Sequence, residues 1–205
     1  MFTYLFTNPA IFFLWFAALI VAITIHEFAH AYVADRLGDP TPRLMGRVTL
    51  NPIAHLDPIG TLAILLFRFG WGKPVQFNPH NLNNPRRDAA IISLAGPASN
   101  MILSLILSLV TRLPATPPIV ALLLEQIITL NVILALFNLI PIHPLDGFKI
   151  VTGVLPYEYA RVWESWEPYG TYILLFAILP ITPFGSLISL VLQPPLDIIL
   201  TLLIR

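Results

Sequence analysis

The chain has 205 residues, of which 57% are hydrophobic and only 11% charged, with a mean hydropathy of +0.80. A soluble domain carries roughly 25% charged residues, so this chain cannot cover a water-facing surface and is expected to be a polytopic membrane protein. Its formal net charge is zero and no basic stripe is present, which argues against nucleic acid as a partner; the absence of cysteine excludes disulfides and thiolate ligands.

The first element is an apolar run over residues 10–34, long enough to cross a bilayer core, which takes about 20 helical residues. No Lys or Arg precedes it, it is too long for a signal-peptide core, and no cleavage site follows, so it reads as a retained first span. Near its end stands His26-Glu27-Phe28-Ala29-His30, an H-E-x-x-H pattern. Residues four apart share a helix face, so both histidines can reach one metal ion. Catalytic zinc takes three protein ligands and leaves a position open for water. Glu27 adjoins the first histidine and is placed to take a proton from that water. The competing reading is a helix end stabilised by polar residues, but ionisable groups inside a span are costly and point to function.

Between the first and second spans lie Arg36, Arg43, Arg47, Arg68, Lys73, Arg86 and Arg87. The positive-inside rule puts this region on the cytoplasmic side and the N-terminus outside. Within it, "PIGTLAILLFRF" (58–69) is too short to span with ease and reads as a short or re-entrant helix. "WGKPVQFNPHNL" (71–82) lacks helical periodicity and reads as an extended or hairpin segment near the membrane surface. His55 precedes these pieces and is either a partner of the metal site or a residue on the substrate path; His80 reads as a loop residue.

The second span covers 89–111 and contains "GPASN" at 96–100; the third covers 119–140 and contains Glu125, read as snorkelling or paired near its outer end. Only Arg112 separates them, so the chain returns to the cytoplasmic side before 141–168, where Lys149 and Arg161 lie. A fourth run, 169–192, is interrupted by Pro180 and Pro183, and "LDIILTLLI" (196–204) is a separate interfacial or short crossing piece. Tyr157, Tyr159, Trp163, Trp166 and Tyr169 suit an interfacial belt. The expected architecture is all-α: a bundle of about four to six transmembrane helices with a short re-entrant or hairpin segment.

The third metal ligand has to come from a distant stretch. The extended zinc motif of one protease class would continue in the next helical turns, but Val33 and Arg36 stand at its two remaining positions, and the next glutamate after Glu27 is Glu125. Asp146, in "NLIPIHPLDG", is the strongest candidate, because topology brings it to the same side and depth as His26 and His30. Its competing reading is the N-cap of a helix over 147–155.

The order "HEFAH", "GPASN", "NLIPIHPLDG" resembles the site-2 protease family of intramembrane zinc metalloproteases over roughly residues 20–150. The chain has no room for the PDZ or CBS domain that many members carry, and so resembles the compact branch. The resemblance implies a single membrane-embedded metalloprotease domain over 1–205, holding one zinc ion on His26, His30 and Asp146, with Glu27 as general base. It implies transmembrane protein substrates in the lipid bilayer of the cell membrane, cut toward the cytoplasmic side. Asn100 and Asn138 are candidates for holding substrate backbone or the oxyanion, against interhelical hydrogen bonding. His143 is either a donor to the tetrahedral intermediate or a loop histidine. The alternative from another class is a membrane zinc carrier or metal sensor using the same ligands; it would need no base at Glu27.

Overall fold

The computed structural model describes residues 8–67, 70–181 and 185–204, and Arg68, Phe69 and Pro183 lie outside them. Four helices are long and apolar enough to cross a membrane: α1 (Pro9–Arg36), α4 (Pro85–Thr111), α5 (Pro118–Asn138) and α9 (Leu187–Ile204). Between α1 and α4 lie the short helices α2 (Thr41–Leu44) and α3 (Pro58–Phe67). Between α5 and α9 come α6 (Asp146–Val154), α7 (Tyr157–Glu164) and α8 (Glu167–Ile178). Among the described residues there is no β-strand, so the bundle is all-helical.

The helices start where the sequence supplies a stop to the preceding chain. Pro9, Pro85 and Pro118 each open a long helix, at a position where the missing N–H would find no partner anyway. Asn8 adds a side-chain cap, accepting from Ile11 N at 3.3 Å. Helix α1 ends at Leu37, followed by Gly38 at φ +107°, a conformation that a Cβ disfavours.

Helix α4 is the hub, packed against α1, α5 and α6. Its inward stripe is Ser93, Gly96, Pro97, Asn100, Ser104 and Ser108, all buried. Small residues at three- and four-residue spacing let backbones approach where lipid gives no hydrophobic drive for helix association. The facing residues are small too: Ala18 and Ala22 on α1 and Ala135 on α5 are fully buried. Helix α6 crosses α4 so closely that a Cβ on Gly153 would lie 2.2 Å from that of Ala90.

The fourth crossing differs from the sequence expectation. Residues 169–192 do not form one broken span: α8 ends at Ile178, and α9 runs unbroken from Leu187 through Pro194 and Pro195 to Ile204. Internal prolines are tolerated in membrane helices because neighbours re-satisfy the freed carbonyls. Leu203 of α9 packs beside Ile128 and Val132 of α5, and Arg112 donates to Leu202 O. Of the expected belt aromatics, Tyr157, Tyr159, Trp166 and Tyr169 are exposed, whereas Trp163 stacks on Phe148 at 5.4 Å and donates to its carbonyl.

The region between α1 and α4 contains α3, a ten-residue helix only about 15 Å long. Segment 73–78 forms neither helix nor strand and follows an isolated antiparallel bridge between Leu56 and Gly72. It is held by the buried carboxylate of Asp39, which accepts from Thr41 N (3.1 Å), Thr41 Oγ1 (2.6 Å), Asn78 N (2.6 Å) and Asn81 Nδ2 (2.7 Å). Burial works against the ionised form, but these donors outweigh it and hold the Asp39 carboxyl below the usual carboxylate range. A folded-state pKa below the unfolded one means a stabilising contribution that is complete above about pH 4 and fades as pH falls through the folded value. Asp39→Ala should therefore lower stability by about 2–4 kcal/mol at neutral pH. Its deficit should shrink in acid, as read by unfolding in detergent across pH 3 to 7; a pH-independent deficit would contradict this account.

Candidate metal centre

His26 and His30 project from one face of α1, with ring centroids 4.6 Å apart and planes nearly perpendicular. Both are buried. Asp146 is the first residue of α6 and reaches them from a distant stretch of chain: its Oδ2 lies 3.1 Å from His26 Nε2 and 3.3 Å from His30 Nε2. The N-cap reading of Asp146 does not hold. The cap position belongs to Leu145, and the Asp146 side chain makes no capping bond. Gly147 permits this entry, because a Cβ there would lie 2.4–2.6 Å from the carbonyls of Leu139 and Ile140.

The hydrogen bonds behind the rings fix their tautomers. His30 Nδ1 is 2.7 Å from Ile92 O, which only accepts, so Nδ1 carries the proton. His26 Nδ1 is 2.7 Å from Asn100 Oδ1. The amide of Asn100 cannot be reversed, because its Nδ2 donates to Ala22 O at 3.0 Å and to Asn131 Oδ1 at 2.7 Å. Both Nε2 atoms in the neutral rings therefore present lone pairs to Asp146 Oδ2, a buried oxygen without a hydrogen-bond partner. Three acceptors aimed at one buried point repel one another, unless a proton or a metal cation sits among them.

The donor set is two imidazoles and a carboxylate, with ligand atoms within 4.8 Å of one another. Zinc bonds such atoms at about 2.0–2.2 Å, which makes a tetrahedral edge about 3.3 Å. The observed 3.1 and 3.3 Å fit that edge. Imidazoles backed by carbonyl-type acceptors are the usual second layer of such centres.

Glu27 stands beside the trio without joining it. Its Oε2 accepts from Val75 N at 3.0 Å, so segment 73–78 supplies its orientation. That segment is anchored by Arg47, whose Nη2 donates to Lys73 O (2.6 Å) and Pro74 O (2.9 Å), and by His55, whose carbonyl accepts from Lys73 N at 2.8 Å. The His55 ring is fully buried and bonds Thr49 O at 2.8 Å, so it braces the loop.

Asn100 commits its whole amide to His26 and to α1 and α5, which leaves it no free group for substrate. Asn138 donates to Leu134 O of its own helix at 3.0 Å. His143 faces Glu167 at 3.6 Å and the ring of Phe148. His143 is not among the histidine and carboxylate groups gathered at the trio. His143 lines a cavity of about 720 Å³ together with Val75, Phe77, Arg86, Phe148 and Lys149. Asn131, on α5, escaped the sequence reading; its signal was an amide in the middle of an apolar span.

Gly96 explains how α4 lies flat against the rings. A Cβ there would sit 2.4 Å from His30 Nε2 and 2.7 Å from His26 Cε1. Gly96→Ala raises helix propensity, so any loss it causes is steric. The variant should fold with its helical content intact while its bound metal, read by elemental analysis, falls well below that of the parent; undiminished metal would contradict the geometry.

Three comparisons bear on this arrangement. The family model for peptidase family M50 matches residues 14–118, a stretch that contains His26, Glu27, His30 and Gly96. YwhC of Bacillus subtilis, which carries the name of a zinc metalloprotease, is 42% identical over 177 residues, 82% of this chain and 80% of the relative. Rip2 of Mycolicibacterium smegmatis, named likewise, is 32% identical over 182 residues, 84% of this chain and 68% of the relative. No solved structure matches. With the histidine pair inside the matched stretch and a relative aligned over most of both lengths, the chain belongs to peptidase family M50.

Proposed function

We propose that this protein is a zinc-dependent endopeptidase that hydrolyses peptide bonds within or near transmembrane segments of other membrane proteins. The observation that carries the reading is the convergence of His26, His30 and Asp146 on one point, beside a carboxylate, Glu27, that is not spent as a ligand. The family and the names of the relatives support a zinc protease. The membrane substrate is the finer step, and the depth of the site supports it. His26 and His30 lie about 15 and 9 Å before the end of α1 at Arg36 and are buried on a helix long and apolar enough to span a membrane, a place that suits a substrate segment lying in the bilayer.

When bound, zinc supplies Lewis acidity, making a water molecule acidic and polarising a carbonyl. His26 and His30 offer Nε2 because their Nδ1 protons are held by Asn100 and Ile92. Asp146 brings the negative charge that offsets part of the cation's. Glu27 accepts the proton of the attacking water and delivers it to the leaving amine, with Oε2 fixed by Val75 N–H. The buried walls of α1, α4 and α6 exclude bulk water, which strengthens each of these interactions.

Sidedness follows from the basic residues. Arg36, Arg43, Arg47, Lys73, Arg86 and Arg87 fall between α1 and α4, and Lys149 and Arg161 follow α5, while Arg112 alone lies between α4 and α5. With four crossings, this distribution favours an N-terminus outside and a site toward the cytoplasmic face of the cell membrane.

The test is cleavage of a panel of tagged single-span proteins in lipid vesicles, with zinc assayed alongside. The parent should cut and Glu27→Gln should not, both holding one zinc per chain. Zinc uptake into vesicles by both forms, with no cleavage by either, would replace the protease reading with that of a carrier.

A further inference from the structure

Arg47 lies outside the membrane-spanning helices, yet it is only 2% exposed. A loop arginine normally keeps its head in water. Here Nη2 donates to Lys73 O at 2.6 Å and Pro74 O at 2.9 Å, while Nε and Nη1 have no hydrogen-bond partner. No carboxylate pairs with it within salt-bridge distance among the described residues. A buried cation held so sparingly is costly to keep, which calls for a reason beyond bracing a loop.

The reason lies in a single peptide group. Pro74 C=O and Val75 N–H belong to one planar unit, and in the trans form they point in opposite directions. Arg47 grips the oxygen end. The nitrogen end donates to Glu27 Oε2 at 3.0 Å. A cation on the carbonyl pulls electron density through the amide and makes its N–H a stronger donor, since linked hydrogen bonds polarise one another. Among the described residues no group donates a hydrogen bond to Glu27 Oε1, so the same contact that pins one carboxylate oxygen leaves the other for proton transfer. Burial works against the Arg47 cation and outweighs the Glu27 charge that favours it across this unit.

We propose that Arg47 is a positioning residue for the general base: it holds and polarises the Pro74–Val75 peptide whose N–H fixes Glu27. The proposal rests on the reading of Glu27 as the base. Arg47 touches none of the metal-binding trio, so it acts on the base without acting on the metal.

The test uses the full-length protein in lipid, with a single-span substrate and a peptide hydroxamate, a zinc chelator whose affinity also depends on a hydrogen bond to the base carboxylate. Arg47→Gln should retain parental zinc and KM while kcat falls by about 10²-fold, the usual cost of displacing a reacting group by about 1 Å. Its hydroxamate affinity should fall when Glu27 is present and should not change in the Glu27→Gln background. Arg47→Lys, which keeps the charge without the fork, should recover part of kcat. Val75→Pro removes the N–H that Glu27 accepts and should reproduce the Arg47→Gln signature, whereas Val75→Ala keeps that N–H and should lose far less kcat than Val75→Pro. This pair decides the matter even if Arg47→Gln fails to fold. Parental kcat in Arg47→Gln or Val75→Pro, or an affinity loss of equal size in the Glu27→Gln background, would overturn the proposal. The base assignment is judged separately: it fails if Glu27→Gln alone alters neither cleavage nor hydroxamate affinity.

Discussion

Polar atoms inside an apolar bundle must be answered from within the protein, and that constraint organises this molecule. The Nδ1 atoms of His26 and His30 are answered by Asn100 and Ile92. Asn100 is answered in turn by Ala22 and Asn131. Within this network of rings and amides, what stays unanswered lies where two ring nitrogens and Asp146 Oδ2 face each other. A bundle that satisfies every other member of a buried network and leaves three lone pairs aimed together is built for a cation. The packing follows from the same need: Gly96 brings α4 against the rings, and Gly147 lets the start of α6 slide beneath the end of α5.

The proposed metal ligands and the proposed base are held by different parts of the chain. His26, His30 and Asp146 depend on the contacts among α1, α4 and α6. Glu27 sits on α1, but its carboxylate takes its direction from segment 73–75, which the loop residues Arg47 and His55 fasten. Asp39 ties the far end of that segment down. Metal affinity and base alignment can therefore be perturbed separately. The same segment borders the 720 Å³ cavity, so whatever enters there passes beside the structure that orients the base.

Much of the centre was legible because its chemistry is local. The i, i+4 histidine pair needs only a helix to become a site, and an apolar run guarantees the helix. Asp146 was singled out through topology, although spacing alone did not separate a ligand from an N-cap; the position of Leu145 at the cap removes the second reading. Asn100 was singled out for a different job, because a polar residue in a span signals importance without revealing its partner. Arg47 was read only as a charge that sets sidedness. Its burial depends on residues 73 and 74, a long-range contact with no local signature. The fourth span was misplaced because prolines 194 and 195 look like a helix boundary in water, whereas α9 continues through them.

The claim beneath all of this is that His26, His30 and Asp146 jointly hold one zinc ion. Zinc-edge X-ray absorption of the purified protein tests it most directly, comparing the parent with Asp146→Asn. The account predicts a four-coordinate zinc with two imidazoles and oxygen ligands at about 2.0–2.1 Å, and a weakened, reorganised site in the variant. A parent spectrum without two imidazoles, or one that Asp146→Asn leaves unchanged, would contradict it.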